Sequence, residues 1–208
     1  MFEPKVFFDK VRGTPKAPGI LGPTLEPGEV AGCNALLATC EGWPISWAAY
    51  AMATAYHETA GTMRPIKEYG SRSYFMRRYD PSGDKPAVAR DLGNTVVGDG
   101  ARFHGRGYVQ LTGRRNYAKA GAELGVDLVA NPDRALEPEI AAQILRAGMS
   151  QGWFTGKDLA DFLPARGKVS GAAYIPACQI SNGTDKAQTI AGYAVQFQNA
   201  LWDAGWRP

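Results

Sequence analysis

The feature that most constrains the fold is an apolar, alanine-rich run that ends in a glutamate. Residues 45–55 are almost entirely apolar, which predicts a helix buried on most of its faces. Glu58 lies on the last turn of this helix, shortly before Gly61, a residue type that commonly ends helices. Because a buried helix tolerates a charged group only where that group has a partner or a task, Glu58 is a candidate general acid. The alternative is a glutamate that leaves the helix end for solvent.

Length and charge limit the class of protein. A chain of 208 residues that is 45% hydrophobic can bury a substantial core, and we expect a single domain over residues 1–208. The net charge of +3 is too small to indicate nucleic acid as a partner, although it suits a polyanionic surface such as a bacterial cell wall. The longest apolar run is far shorter than the roughly 20 residues of a membrane-spanning helix. We therefore expect neither nucleic-acid binding nor stable membrane insertion.

The three cysteines indicate where the chain folds. Cys33 and Cys40 lie two turns apart on one predicted helix, about 10 Å, which is beyond the reach of a disulfide, and Cys178 is left over. An odd set of unpaired thiols is typical of a reducing compartment. The start of the chain also lacks the pattern of a secretory signal, a basic segment followed by an apolar one. We expect three free thiols and synthesis in the cytoplasm.

The spacing of apolar residues predicts a mainly α fold with at most a small β hairpin. Besides the central helix, the predicted helices cover residues 2–11, 30–40, 87–92, 113–124, 138–153, 157–163 and 185–206. Thr112 is the expected N-cap of the helix at 113–124, and Gly125 its expected stop. Residues 64–85 form a polar stretch rich in arginine and tyrosine, and the glycine-dense residues 93–107 form a loop or a small hairpin.

Residue types and spacing exclude three common kinds of site. His57-Glu58 is not followed by a second histidine at the spacing of a zinc site, and His104 is the only other histidine. The glycine-rich turns between 98 and 107 lack the spacing of a nucleotide-binding loop. The cysteines of the second predicted helix have no histidine to activate them. We therefore expect no metal and no cofactor.

Carboxylates remain as the reactive groups in the middle of the chain. Glycoside hydrolysis uses two of them, one on each side of the bond that is cut. The candidates are Glu58, Glu68, Asp80, Asp84, Asp91 and Asp99. The tyrosines and arginines between 64 and 79, Tyr69 among them, suit a sugar-binding wall, although a solvated structural loop has the same composition.

Four sequence blocks carry a family resemblance. They are His57-Glu58-Thr59, Leu92-Gly93-Asn94-Thr95, Gly98-Asp99-Gly100 and the run GRGYVQLTGRRNY at 105–117. Together they resemble glycoside hydrolase family 19, and they are most similar to its bacterial and phage branch of chitinase-like endolysins. The resemblance is dense over residues 45–132 and thinner elsewhere. It implies a mainly α, lysozyme-like fold of two lobes with a central cleft.

The resemblance also implies roles for individual residues. Glu58 matches the family's general acid, Glu68 matches its general base, and Thr112 matches the hydroxyl residue that positions the attacking water. The residues that match sugar-binding positions are Gln110, Asn116 and, in a late motif at 180–183, Asn182. Glu58 on a buried helix can stay protonated, whereas Glu68 beside three cationic side chains can stay ionised, so that the two residues divide the acid and base roles.

Two further residues are candidates for substrate binding. Tyr69 directly follows Glu68, and Arg106 is the centre of the Gly-Arg-Gly block. Arg106 also has a structural interpretation, in which the glycines make tight turns and the arginine pairs with a buried carboxylate such as Glu58.

The implied activity is hydrolysis of β-1,4 bonds between N-acetylated amino sugars with inversion at the carbon that is attacked. Inversion requires carboxyl groups about 6.5–9.5 Å apart, which leaves room for a water molecule. Peptidoglycan is the expected substrate, as for a phage or prophage endolysin that is made in the cytoplasm and reaches the cell wall through a separate pore. A chitinase is the second interpretation, and a non-catalytic glycan-binding module is the third. We expect a monomer.

Overall fold

The computed structural model describes residues 1–181 and 186–207, and within them it is mainly helical. The α-helices are α1 (Pro4–Arg12), α2 (Pro27–Thr39), α3 (Ile45–Glu58), α4 (Arg72–Tyr79), α5 (Pro86–Asp91), α6 (Asp99–Arg102), α7 (Arg114–Leu124), α8 (Pro138–Ser150), α9 (Gly171–Tyr174) and α10 (Ala187–Asp203). Short 3-10 helices lie at Pro132–Leu136, Leu159–Asp161 and Pro176–Ile180. The mainly α class predicted from apolar spacing is confirmed.

Within the described residues, β structure is limited to two antiparallel pairs of two-residue strands. The first pair, β1 (Gly13–Thr14) and β2 (Ala17–Pro18), is a local hairpin. The second pair joins β3 (Ile66–Lys67) to β4 (Arg106–Gly107), which are far apart in sequence. The glycine-dense stretch at 93–107 therefore forms no hairpin of its own, because its last residues pair with β3.

The contacts divide the chain into two compact units. Unit 1 comprises Met1–Arg64 and Leu145–Pro208, and unit 2 comprises Pro65–Ile144. Glu58 belongs to unit 1, and Glu68 belongs to unit 2. That residues 1–208 form a single catalytic domain stays a prediction.

Unit 1 is built around α3, as its alanine-rich sequence predicts. The alanines of this helix that are at most 1% exposed are Ala48, Ala49, Ala51, Ala53 and Ala55. Their small side chains allow α10 to pack along α3. Tyr56, on the last turn of α3, lies edge-on against Tyr193 and Phe197 of α10, with ring centroids 4.8 and 6.0 Å away. This packing fixes the helix end that carries Glu58.

A buried carboxylate anchors the glycine-rich part of unit 2. Asp80, directly after α4, is 0% exposed and accepts hydrogen bonds from the backbone N–H groups of Gly98 and Gly100 at 2.8 and 3.1 Å. It also accepts from the Ser82 hydroxyl at 2.6 Å. Burial by itself would raise the pKa of Asp80, but these hydrogen bonds outweigh it and lower the pKa below its usual value. Asp80 therefore stabilises unit 2 as a charged group.

A second buried carboxylate connects α6 to α7. Asp99 is 2% exposed and forms a two-point ion pair with Arg114, with N···O distances of 2.8 and 2.5 Å. Arg114 is the first residue of α7, and its backbone N–H donates to Asn94 Oδ1 at 2.8 Å. The start of α7 is thereby fixed to the loop that precedes α6.

Two predicted features of the helices are wrong. Thr112 is not the N-cap of α7, because Gly113 occupies that position with φ of 91° and the Thr112 hydroxyl donates to the Gln110 carbonyl at 2.7 Å. The polar stretch at 64–85 contains α4, which its weak apolar periodicity did not predict, since only Phe75 of this helix is buried. The N-cap of α4 is Ser71, whose hydroxyl accepts from the third helical residue at 3.1 Å.

The cysteines are free and buried, as expected. Burial raises the pKa of both Cys33 and Cys40 to about 12. Over residues 1–181 and 186–207, no helix combines the length and apolar character that crossing a bilayer requires. The same residues contain no cluster of three or more histidine, cysteine, aspartate and glutamate side chains that could hold a metal ion.

Candidate active site

Glu58, the expected general acid, is half-buried on the last turn of α3 in unit 1. The helix ends there because the chain leaves the helical conformation, with positive φ at Ala60 (52°) and Met63 (53°). The Thr59 hydroxyl holds this turn, since it donates to the Ala55 carbonyl at 2.8 Å and accepts from the Met63 N–H at 3.0 Å. Positive φ strains residues other than glycine, and such strain is found preferentially at functional sites. The strained turn directly follows Glu58.

Two buried hydroxyls lie on the same face of α3 as Glu58, one and two turns earlier. Tyr50 and Thr54 are both 0% exposed. The Tyr50 ring stacks on Tyr174 of α9 with centroids 6.2 Å apart, and burial raises the pKa of its phenol. Because positions 50, 54 and 58 recur every four residues, they form a polar stripe on a mainly apolar helix.

Glu68, the expected general base, is half-buried directly after β3 in unit 2. Its backbone N–H donates to the Gly105 carbonyl at 2.8 Å, which extends the pairing of β3 with β4. Its carboxylate accepts from the Gly105 N–H at 3.1 Å through Oε2 and from the Tyr79 hydroxyl at 2.8 Å through Oε1. A carboxylate offers about four acceptor sites, so these two donors leave room for a water molecule, as a general base requires.

Gly105 lies beside the carboxylate of Glu68. A Cβ atom at this position would lie 2.7 Å from Gln110 Oε1 and 3.2 Å from Glu68 Oε2. Glycine therefore leaves the side chains of Gln110 and Glu68 in place, whereas a Cβ would displace them slightly. The first glycine of the Gly-Arg-Gly block therefore lies beside the candidate base and not in a turn.

Tyr79 orients Glu68 from the last turn of α4. Burial, together with the hydrogen bond to Glu68, raises the pKa of Tyr79 to about 12, so the phenol remains a donor at neutral pH. The Asn94 side-chain amide donates to the Tyr79 carbonyl at 2.8 Å. Since Asn94 also accepts from Arg114, the position of Tyr79 depends on the start of α7.

The expected cleft residues of the 105–117 block form a chain of hydrogen bonds in unit 2. Asn116 Nδ2 donates to the Thr112 carbonyl at 2.7 Å, and the Thr112 hydroxyl donates to the Gln110 carbonyl at 2.7 Å. Gln110 has a positive φ of 50°, and its Nε2 donates to the carbonyls of Ile66 and Gly107 at 3.3 Å each. The structure thus brings these three side chains together beside the strand that precedes Glu68.

Arg106 is occupied by contacts within unit 2. It is 5% exposed, and its Nε donates to Asp133 Oδ1 at 2.8 Å while Nη1 donates to the Tyr117 hydroxyl at 2.9 Å. Lys67, opposite Arg106 in the β3–β4 pair, contacts the other oxygen of Asp133 at 2.8 Å. The hydrogen bond from Lys67, and then that from Arg106, lowers the pKa of Asp133 despite partial burial. These contacts give Arg106 a structural role, but its carboxylate partner is the exposed Asp133 and not a buried carboxylate such as Glu58, as the sequence predicted; a role in substrate binding stays a prediction.

Two expected site residues remain, Tyr69 and Asn182, and the structure describes only the first. Tyr69 is 86% exposed at the surface of unit 2, next to Glu68 in sequence. Asn182 lies outside the described residues.

Several contacts of the site were not predicted. The contacts of Tyr79, Asn94, Gly105 and Asp133 described above join segments that are distant in sequence. One signal was available, because Ser71 is a typical N-cap residue and would have predicted α4, with Tyr79 on its last turn. No comparable signal exists for Asp133, whose partners come from two strands elsewhere in the chain.

Comparison with known proteins gives one family. A family model described as chitinase class I matches residues 45–155, more than half of the chain. Acidic endochitinase Q of Nicotiana tabacum is 35% identical over 77 residues, which cover 37% of this chain and 23% of that protein. Chitinase 8 of Oryza sativa subsp. japonica is 61% identical over 31 residues, which cover 15% of this chain and 12% of that protein. The chain thus spans about a quarter or less of the curated relatives that it matches.

Solved structures with the same fold are also chitinases. Chitinase C from Streptomyces griseus HUT6037 superimposes with a TM-score of 0.59 at 19% identity, covering 95% of this chain and 75% of that one. A class IV family 19 chitinase from Zea mays superimposes with a TM-score of 0.50 at 21% identity, covering 94% of this chain and 90% of that one. At such identities, the likeness establishes the fold.

Proposed function

Because the chain belongs to glycoside hydrolase family 19, the chitinase class I family, we propose that it hydrolyses β-1,4 bonds between N-acetylated amino sugars in peptidoglycan. The observation that carries the proposal is the pair of glutamates in the matched segment. Glu58 ends the most deeply buried helix of unit 1, and the carboxylate of Glu68 is oriented by two hydrogen-bond donors in unit 2. A protein that only binds glycans needs no such acid and base.

The two glutamates have different tasks in the proposed reaction. Glu58 donates its proton to the oxygen of the departing sugar as the glycosidic bond breaks. Glu68 accepts a proton from a water molecule, whose oxygen forms the new bond to the anomeric carbon from the opposite side, so that the configuration is inverted. The Thr112 hydroxyl positions this water, and the side chains that hold the sugars are Gln110, Asn116, Asn182 and Tyr69.

Peptidoglycan is favoured as substrate by charge and by the cysteines. A net charge of +3 suits a polyanionic cell wall better than an uncharged polysaccharide. Three buried free thiols are compatible with folding in a reducing compartment, as for an endolysin that is made in the cytoplasm and then released to the wall. Chitin is the second candidate, because the relatives named above are chitinases.

Product analysis tests the proposal. Purified peptidoglycan and chitin oligomers are incubated with the protein, and mass spectrometry identifies the sugar at each new reducing end. We expect muropeptide fragments from peptidoglycan. Products from chitin alone would make the protein a chitinase. Binding to either glycan without any product would make it a glycan-binding module.

A further inference from the structure

Arg78 is an exposed arginine that two tyrosines hold in place. Its Nη1 donates to the Tyr74 hydroxyl at 3.1 Å, and its Cζ lies 5.8 Å from the centre of the Tyr74 ring and 5.4 Å from that of the Tyr79 ring. Among the residues that the structure describes, none of the ion pairs includes Arg78. Its positive charge is therefore not neutralised by a contacting carboxylate.

The two tyrosines prepare this guanidinium for binding. An exposed arginine side chain normally samples many rotamers and loses that freedom when it binds a ligand. Contacts with two aromatic rings and one hydrogen bond restrict Arg78 beforehand, which lowers the entropic cost of binding. A planar guanidinium with free N–H groups binds carboxylates through two parallel hydrogen bonds. The geometry is that of a preformed site for an anion.

This arginine is next to the proposed general base. Tyr79 contacts both groups, since its ring lies against the Arg78 guanidinium and its hydroxyl donates to Glu68 Oε1 at 2.8 Å. One tyrosine side chain thus separates the two charged groups. An anion bound at Arg78 would belong to a part of the substrate close to the bond that Glu68 helps to hydrolyse.

We propose that Arg78 binds a carboxylate substituent of the glycan and thereby selects peptidoglycan over uncharged N-acetylglucosamine polymers. The inference rests on the proposed function, because of the two candidate substrates only peptidoglycan carries carboxylates. These carboxylates have two sources, the lactyl group of the muramic sugar and the attached peptide. Both present the same chemistry to the guanidinium.

The test compares Arg78→Gln with wild-type protein on three forms of one glycan. The first is intact peptidoglycan. The second is glycan strands from which an amidase has removed the peptides, so that lactyl carboxylates are exposed. The third is the same strands with those carboxylates converted to amides. Arg90→Gln is the matched control, because Arg90 is an exposed arginine on the neighbouring helix α5, outside the stretch at 64–79, and the substitution is the same.

We expect Arg78→Gln to lower kcat/KM on carboxylate-bearing glycan on the order of tenfold, mainly through KM, as for one charge-assisted hydrogen-bonded pair. Arg90→Gln should stay within about twofold of wild type, as is usual for surface substitutions. On amidated strands, Arg78→Gln and wild type should have equal kcat/KM. In intact peptidoglycan the lactyl carboxyl is joined to the peptide as an amide, so a defect confined to intact peptidoglycan would assign the carboxylate to the peptide. A defect confined to stripped strands would assign it to the exposed lactyl group, and a defect on both would show that Arg78 binds either carboxylate.

Other results would overturn the inference. An equal loss on charged and amidated strands would mean that Arg78 only positions Tyr79 and Glu68. Unchanged kcat/KM on all three forms would exclude any role for Arg78. If the proposed function itself were wrong, wild-type protein would release no products from any of the three forms of peptidoglycan. That result differs from the two above, and the inference about Arg78 would fail with it.

Discussion

The Tyr79 hydroxyl donates a hydrogen bond of 2.8 Å to Glu68 Oε1, which joins the end of α4 to the residue after β3. The Gly105 N–H contacts the other carboxylate oxygen at 3.1 Å. Both oxygens of Glu68 are thus oriented by groups on separate segments of unit 2. A general base that is held in this way directs its remaining acceptor sites in a fixed direction, which is the geometric requirement for activating a water molecule.

Tyr79→Phe tests this orientation. The phenylalanine ring keeps the stack on Phe75, where the centroids are 6.4 Å apart, but it cannot donate to Glu68. We expect kcat to fall by about tenfold with little change in KM, because a misplaced reactive group slows the reaction step itself. Since the pKa of Tyr79 is raised to about 12, wild-type activity should show no loss from tyrosine ionisation up to about pH 10. Full kcat in the folded variant would mean that Glu68 needs no help from Tyr79.

Substitutions of Thr112 distinguish a catalytic role of its hydroxyl from a structural one. Because Gly113 is the N-cap of α7, Thr112→Ala should destabilise the protein by less than the roughly 1 kcal/mol of a lost cap. If its hydroxyl positions the attacking water, the same variant should lose about tenfold in kcat, whereas Thr112→Ser should keep most of it. Melting curves and kcat for both variants provide the measurement. An alanine variant that cleaves at the full rate would remove Thr112 from the mechanism.

Asp80 should make unit 2 sensitive to acid. Its folded-state pKa is lowered, so its stabilising effect is complete above the unfolded value of about 3.9 and is lost as the pH falls through the folded value. Asp80→Asn should lower the free energy of unfolding by about 3 kcal/mol at neutral pH, because it breaks a buried, charged hydrogen-bond network.

The pH dependence of the free energy of unfolding shows whether Asp80 is the group whose protonation destabilises unit 2. Between about pH 4 and pH 2, the Asp80→Asn variant should lose less stability than wild type, since the amide does not take up a proton. Asp84→Asn, at an exposed position close by in sequence, is the control and should follow the wild-type curve. Denaturant unfolding at several pH values measures all three proteins. Parallel curves for wild type and Asp80→Asn would show that Asp80 is not the titrating group.

The burial of the three cysteines predicts how they react with a thiol reagent. Cys33, Cys40 and Cys178 are buried, and burial raises the pKa of the first two to about 12. A thiol reagent should therefore react very slowly with the native protein and should count three thiols after denaturation without a reducing agent. A count of one would reveal a disulfide and contradict folding in a reducing compartment.

The spacing of apolar residues along the sequence predicted the helices that bury a continuous apolar face. Apolar spacing and the glycine after the last turn gave α3 with Glu58 at its end, because burial of one continuous helix leaves a direct trace in the sequence. It did not give α4, in which only Phe75 is buried and arginines and tyrosines cover the remaining surface. The residue type of Thr112 predicted an N-cap, but the N-cap of α7 is Gly113, which has a positive φ, and the helix begins one residue later than predicted.

The partners of the site residues could not be predicted at all. Asp133 bridges Lys67 and Arg106, and Tyr79 reaches Glu68, only because the chain brings separate segments of unit 2 together. No spacing rule encodes such contacts. The motif residues themselves could be named from the family resemblance, whereas their hydrogen bonds required the fold.

The rate at which Glu58→Gln releases reducing ends from peptidoglycan tests the proposed mechanism most directly. The amide is close in size to the acid but cannot donate the required proton, so the folded variant should be slower than wild type by about 10²–10⁴-fold. An unchanged melting temperature would show that the fold is intact. If folded Glu58→Gln retained more than about a tenth of the wild-type rate, the loss would be smaller than a general acid usually contributes, and Glu58 would not be the proton donor.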